Sequence, residues 1–210
     1  MTILAFEFSS ARRSVALARD GMVLSEAGET GGYRVTNAFG LTEKVLADAK
    51  IRRAEVEVIA LGIGPGSYTG IRAAIAIAQG WQLARAVKLL GISSVEVLAA
   101  QAQAGKLFGR VNVIIDAQRS EFYLSVWEIS AATRKEIAPV RIVSAVEIEA
   151  LKSAGEIGVG PEAGRVLFPG AAILAQLAAV RTDFVAGEKL EPIYLRETSF
   201  VKTAPPTRSY

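Results

Sequence analysis

The sequence predicts an α/β protein of two lobes in which one β-β-β-α-β-α-β-α unit occurs twice. Three observations carry this. Apolar strand-like runs alternate with helix-like periods along the chain. Each half also holds a strand closing on one carboxylate, a short turn with an Arg, and a returning strand. These are Leu4–Glu7, Ser9–Arg12 and Val15–Ala18 in the first half, and Val113–Asp116, Ala117–Ser120 and Phe122–Val126 in the second. Finally, 210 residues with 51% hydrophobic and 21% charged side chains suffice for one large domain or two small lobes with a buried core. The division is expected between an N-terminal lobe at 1–106 and a smaller, degenerate C-terminal lobe at 107–210.

In the first half, Thr2–Ser9 is an apolar strand, Ser14–Arg19 alternates, and Asp20-Gly21 turns the chain into Met22–Ala27. Gly28, Gly31 and Gly32 read as a loop before a helix over Val35–Lys50. Glu55–Ile63 is nearly all apolar after its acidic start, the pattern of a strand covered on both faces. The loop Gly64–Gly70 leads into a helix from Ile71 to about Ala86, then a strand at Leu89–Ile92. Ser93 and Glu96 have the spacing of a capping box for a helix reaching about Gln103.

The second half reads as strands at Val111–Asp116, Phe122–Ile129 and Glu136–Val143. Ser144 and Glu147 form a second capping-box pattern, opening a helix to about Ala154. Gly158-Val159-Gly160-Pro161 echoes the strand-end glycines of the first half, Ala171–Val180 is helical, and the Pro-rich stretch from Ala204 is expected to be a poorly ordered tail.

Composition narrows the chemistry. Cys and His are both absent, which excludes disulfides, thiolate nucleophiles, zinc fingers and every nucleophile–His dyad. Ser9 and Ser67 therefore have no base to activate them, and no metal centre is expected. The net charge of +3 comes without a dense basic block, so Arg12, Arg13, Arg34, Arg52, Arg53 and Arg72 are expected on a solvated face. A mean hydropathy of +0.32 points to apolar surface reserved for a partner. No basic leader precedes the opening strand. The longest apolar stretch, Leu167–Val180, is broken by Pro169 and Gln176 and falls short of the ~18 residues of a membrane span. The expectation is a cytoplasmic protein without membrane attachment.

The segment Gly64-Pro65-Gly66-Ser67-Tyr68-Thr69-Gly70 lies between a strand and a helix, where phosphate-binding loops occur. It lacks the Lys-Ser/Thr of a Walker A loop. It departs from the dinucleotide fingerprint too, because it does not follow the first strand and the next strand ends in Gly and Ser rather than an acid. The other reading gives the glycines and Pro65 to a tight turn that lets the helix pack close to the sheet. Thr69 is the candidate helix cap in either case.

The helix that follows is apolar all round, with Ile71, Ala74, Ile75, Ala78 and Trp81 on one side and Ala73, Ala76, Ile77, Gly80 and Leu83 on the other. Such a helix is covered on every side, either by the rest of this chain or by another subunit. A phosphotransferase needs metal-organising carboxylates and glycine-rich turns that grip phosphate; Glu7 and Asp116 each close a strand, but the turns beside them contain no glycine. Three functions stay open on the residues alone: a partner subunit, a small-molecule kinase or ATPase, and a dinucleotide-binding protein.

The duplicated plan is similar to that of the actin/Hsp70/sugar-kinase superfamily, and four motifs resemble one family, TsaB (YeaZ). Gly64–Arg72 is close to its signature GPGSFTGLR, and Asp116–Tyr123 resembles its DARRGEVY segment. Glu191–Arg196 resembles its P-x-Y-x-R, and Ile3–Ser9 its ILAIDTS start. The matches recur in order over nearly the whole chain.

The resemblance implies an actin-like fold without catalytic competence, serving a complex that transfers threonylcarbamoyl to the adenosine beside the anticodon of ANN-decoding tRNAs. It implies pairing with a TsaD-type catalytic subunit and work alongside a TsaE-type ATPase. A homodimer through the N-lobe helices is implied when the chain is alone, with tRNA contact mainly indirect. It implies no cofactor of the chain's own, apart from a nucleotide at the junction with the partner.

The interface helices would be about Thr36–Ala49 and Ile71–Arg85, presenting Phe39, Val45, Leu46, Gly70, Ile71, Ala74, Ile77, Ala78 and Trp81. The loop Gly64, Pro65, Gly66, Ser67, Tyr68, Thr69 and Gly70, with Arg72, would position the second helix. Glu7, Ser9, Asp116 and Arg119 would mark a vestigial cleft. Two departures stand out: Glu7-Phe8-Ser9 replaces the family's Asp-Thr-Ser, and Tyr33–Asn37 lacks its His.

Overall fold

The computed structural model describes residues 1–30 and 37–196. The first unit comprises β1 (Thr2–Glu7), β2 (Arg12–Arg19), β3 (Met22–Thr30), α1 (Ala38–Ala49), β4 (Val58–Gly62), α2 (Tyr68–Ala84), β5 (Lys88–Ile92) and α3 (Ser94–Ala104). The second comprises β6 (Gly109–Gln118), β7 (Glu121–Ile129), β8 (Arg134–Ser144), α4 (Ala145–Ser153), β9 (Ile157–Gly160), β10 (Arg165–Val166) and α5 (Ala171–Ala178). The sheets run β3-β2-β1-β4-β5 and β8-β7-β6-β9-β10, so each strand has a counterpart at the same place in the other sheet. In each, three antiparallel strands are extended by two parallel ones. This is the two-lobed actin-like plan. The second unit is the reduced one, since only a turn at 161–164 stands where α2 occupies the first.

Alternation along the strands explains how each sheet is covered. In β1, Leu4 and Phe6 point into a core shared with Leu41 and Val45 of α1 and Ile71, Ala74 and Ala78 of α2. Ile3 and Ala5 point the other way, toward Ala171, Leu174, Ala175 and Ala178 of α5. A strand apolar from Ile3 to Phe6 is thus sandwiched between helical layers. Asp20 and Gly21, with φ of 52° and 81°, make the tight turn between β2 and β3.

The two units exchange helices. Val95, Leu98, Ala99 and Ala102 of α3 share a core with Val111, Val113, Trp127 and Ile129 of the second sheet, whereas α5 lies on the first sheet. Gln101 ties the exchange, donating to Phe168 O at 3.0 Å and accepting from Gly170 N at 3.1 Å. Arg181 pairs with Glu96 at 3.0 Å. A cut between 106 and 107 therefore separates the strands of the two sheets, while α3 and α5 cross it.

Several local expectations need correction. Gly28 belongs to β3, paired in register with Ser14, rather than to a loop. Residues Arg53–Glu55 form a 3-10 turn, so β4 starts later than its acidic run suggested. Neither capping box closes. Ser93 Oγ donates to Gly64 O at 3.2 Å while Glu96 serves Arg181. Ser144 Oγ accepts from Glu147 N at 3.4 Å, but the Glu147 carboxylate is drawn to Arg141. Tertiary partners outcompete the local motif at both helices. Arg13, expected on a solvated face, is buried. Gly31, Gly32, Tyr33–Thr36 and the tail from Ala204 lie outside the described residues.

Candidate functional site

The glycines after β4 are spent on the protein's own backbone. A Cβ on Gly66 would fall 2.2 Å from Ser9 O, and one on Gly70 would fall 2.0 Å from Phe8 O. Ser67 N donates to Ser9 O at 2.6 Å. The start of α2 is thereby seated on the chain leaving β1, and that close approach is why the loop needs glycine. The second unit repeats the device: a Cβ on Gly160 would fall 1.9 Å from Ile114 O of β6.

The cap of α2 is Ser67, whose Oγ accepts from Gly70 N at 3.4 Å; Thr69 is exposed and does not cap. Ser67→Ala is expected to cost about 1 kcal/mol and Thr69→Ala a few tenths, as read by urea melts of the two variants.

Glu7 does not reach the cleft. It is 0% exposed, its Oε1 accepts from Ser9 N at 2.9 Å, and its Oε2 lies 3.4 Å from Ser94 Oγ. The carboxyl is packed against Gly62, where a Cβ would fall 2.0 Å from Oε2. Burial pushes its pKa above the usual carboxylate range, with the Ser9 and Ser94 hydrogen bonds opposing. The extra methylene of Glu relative to Asp thus carries the acid under β4, and Phe8 beside it is buried in the core. Sequence reasoning placed Glu7 in the cleft and missed Gly62, whose only signal was a glycine at a strand end.

Between the lobes is a cleft of 510 Å³, reached by Ser9, Ser67, Asp116, Arg119, Glu162 and Tyr194 among others. Ser9 is nearly fully buried. Asp116 is engaged by its own turn: Oδ1 accepts from Gln118 N and Oδ2 from Gln118 Nε2, both at 2.8 Å. Gln118, Arg119 and Ser120 all have positive φ, at 65°, 59° and 61°, and all three are exposed. Glu162, which the sequence did not single out, accepts from Asp116 N at 3.1 Å, and burial pushes its carboxyl up. At the rim, Arg72 Nη1 donates to Tyr68 Oη at 2.5 Å, and the Tyr68 and Tyr194 rings lie 5.3 Å apart. Burial and the Tyr68 hydroxyl push the Tyr194 hydroxyl up to about 12. Among the described residues no three His, Cys, Asp or Glu side chains converge on one point.

The outer side of the first lobe is the second candidate site. Of the residues assigned to a partner interface, Val45, Leu46, Gly70, Ile71, Ala74 and Ala78 are buried within this chain. They pack on β1 and β4 and present nothing outward. Ile77 and Trp81 are half-buried at the edge of that contact. Phe39 is 73% exposed at the start of α1.

The outward face of α2 is the opposite one, Ala73, Ala76, Gly80 and Leu83, spaced so that they form one line along the helix. Leu83 is 91% exposed, and among the described residues nothing lies within 4 Å of a Cβ built on Gly80. A hollow of 660 Å³ begins at Ala84, next in the chain to Leu83, and continues over Val56, Val87 and Lys88. Among the described residues no helix is long and apolar enough to cross a membrane.

Two lobes of duplicated topology, with the first-strand carboxylate sealed under the sheet and an apolar helix face left outward, define an actin-like protein whose Glu7 stands outside the cleft. A family model described as TsaD, tRNA N6-adenosine threonylcarbamoyltransferase, matches residues 34–191. The Escherichia coli K12 tRNA threonylcarbamoyladenosine biosynthesis protein TsaB is 28% identical over 228 residues, covering 98% of this chain and 99% of that protein. The Haemophilus influenzae protein of the same name is 34% identical over 131 residues, covering 60% and 53%. A solved Pseudomonas aeruginosa protein, described as similar to the peptidase YeaZ, superposes with a TM-score of 0.80 at 26% identity, covering 93% of this chain and 99% of that one. YeaZ from the same organism superposes with a TM-score of 0.77 at 24% identity, covering 92% and 99%, which speaks for the fold alone. The chain belongs to the TsaB/YeaZ family, as its motifs implied.

Proposed function

We propose that this chain is a non-catalytic subunit of tRNA threonylcarbamoyladenosine biosynthesis, which docks on a TsaD-type catalytic subunit through the outward face of α2 and the exposed start of α1. The observation that carries this reading is the line Ala73, Ala76, Gly80 and Leu83. Small residues let a facing helix approach closely, and Leu83 supplies the apolar anchor. The same face serves a second copy of the chain when the catalytic partner is absent. A TsaE-type ATPase joins the assembled pair, and tRNA is contacted mainly by the partner. The docking helices belong to the lobe built from the first 106 residues.

Catalytic silence is supported by two arrangements. Glu7, the acid a phosphotransferase would aim at a metal, is sealed behind Gly62, and the glycine loop grips Ser9 and Phe8 rather than offering free amides to phosphate. A peptidase reading has no His or Cys to build on. The test is co-expression with TsaD-type and TsaE-type proteins, followed by size-exclusion chromatography with and without ATP. The expected result is co-elution with the TsaD-type protein under both conditions. Separate elution at micromolar concentrations would overturn the proposal, and ATP turnover by the isolated chain would overturn its silence.

A further inference from the structure

The last described stretch of the chain runs back along α2 and then leaves it. Gln79 Nε2 donates to Gly187 O at 2.8 Å, and Gly187 N donates to Gln82 Oε1 at 3.0 Å, pinning the stretch to the C-terminal half of α2. Leu190 is buried in the first lobe's core, and Ile193 N donates to Ile63 O at 2.8 Å, at the end of β4. Tyr194 then lies against Tyr68 in the first turn of α2. Two residues later the chain reaches the other lobe. Arg196 Nη2 donates to Ala117 O at 2.9 Å and to Glu121 Oε2 at 2.5 Å, spanning the β6–β7 turn. We infer that Gly187–Arg196 is an intramolecular tie that sets the opening of the cleft and holds the first turn of α2 in a fixed relation to the second lobe.

The physical case rests on where the connections are. The α3–α5 exchange joins the lobes on the face of the first sheet covered by α5, while the tie joins them from the opposite face, covered by α2. Two joints on opposite faces of one sheet block the hinge rotation that either alone would permit. The anchoring at Arg196 is charge-assisted, with the single nitrogen Nη2 donating to both a carbonyl and a carboxylate on the two sides of the β6–β7 turn. The cleft walls at Tyr194 and Arg196 are therefore supplied by the tie itself. This inference concerns the isolated chain and is independent of the docking proposal.

The chain has no cysteine, so Ala47→Cys on α1 and Ala150→Cys on α4, both exposed, can carry a pair of spin labels without further changes. Diluted with unlabelled protein, the labelled chain is expected to give one narrow distance distribution. Adding Arg196→Ala is expected to broaden it toward longer distances and to speed amide exchange at residues 117–120 by about ten-fold, the scale of one lost charge-assisted hydrogen bond. Glu121→Gln, which leaves the carbonyl contact in place, is expected to fall between the two. A distribution and exchange rates in Arg196→Ala that superimpose on the parent overturn the inference. Should Arg196→Ala fail to fold, an unchanged distribution in Glu121→Gln overturns it equally.

Discussion

Ala74→Glu is expected to unfold the first lobe, whereas Ala76→Glu, two residues along the same helix, is expected to leave the fold intact and abolish docking. Ala74 is fully buried against the sheet, so a carboxylate there has neither water nor a partner, at a cost of several kcal/mol. That is a large share of the roughly 5–15 kcal/mol that holds a domain together. Ala76 is exposed, and a charge there shifts the isolated chain's stability by about 0.5 kcal/mol or less. In a close helix contact the same charge becomes buried and unpaired, which corresponds to roughly a 100-fold or greater loss of affinity. Thermal melts followed by circular dichroism separate the first effect, and co-elution with a TsaD-type protein separates the second. Undiminished pairing by Ala76→Glu would remove α2 from the interface. A parent-like melt for Ala74→Glu would mean its burial is misassigned.

That contrast also marks what the sequence makes legible. The duplicated architecture was readable because a strand, a carboxylate and a returning strand recur in both halves, and β1–β2 and β6–β7 occupy equivalent places in their sheets. The glycine loop was readable as a turn, and the contacts of Gly66 and Gly70 explain why it carries those residues. Which side of α2 faces out was not readable. Alanine and isoleucine lie on both sides, so periodicity carries no contrast, and only the position of β1 and β4 decides. The exchange of α3 and α5 leaves no local trace, since each is an apolar helix that fits either sheet. The role of Glu191–Arg196 was equally hidden, because its partners Ile63, Tyr68, Ala117 and Glu121 lie on four separate elements or turns.

Glu7→Gln is expected to stabilise the protein at neutral pH and to lose that advantage in acid. Burial raises the Glu7 pKa in the folded chain, while the unfolded chain titrates near the ordinary value of 4.5. Below that value both states carry the proton, and the acid's contribution to stability is fully present. As pH rises toward the raised folded value, the unfolded chain releases its proton first, so folding becomes progressively less favourable. Gln removes the titration and keeps the shape: its amide oxygen accepts from Ser9 N, and its NH2 faces Ser94 Oγ. The expected readout is a melting temperature several degrees above the parent at pH 7.5, converging on it near pH 4.5; for a chain of this length each kcal/mol is worth about 2–4 °C. Parallel curves for the two proteins across that range would mean that Glu7 is not held protonated by burial. A second measurement isolates the steric contact between Glu7 and Gly62. Gly62→Ala, whose Cβ would fall 2.0 Å from the Glu7 carboxylate, is expected to be strongly destabilising alone. Much less destabilisation is expected when it is combined with Glu7→Asp, because the shorter acid withdraws from β4. A double-mutant cycle reads that coupling directly, and additive effects would separate the glycine from the acid.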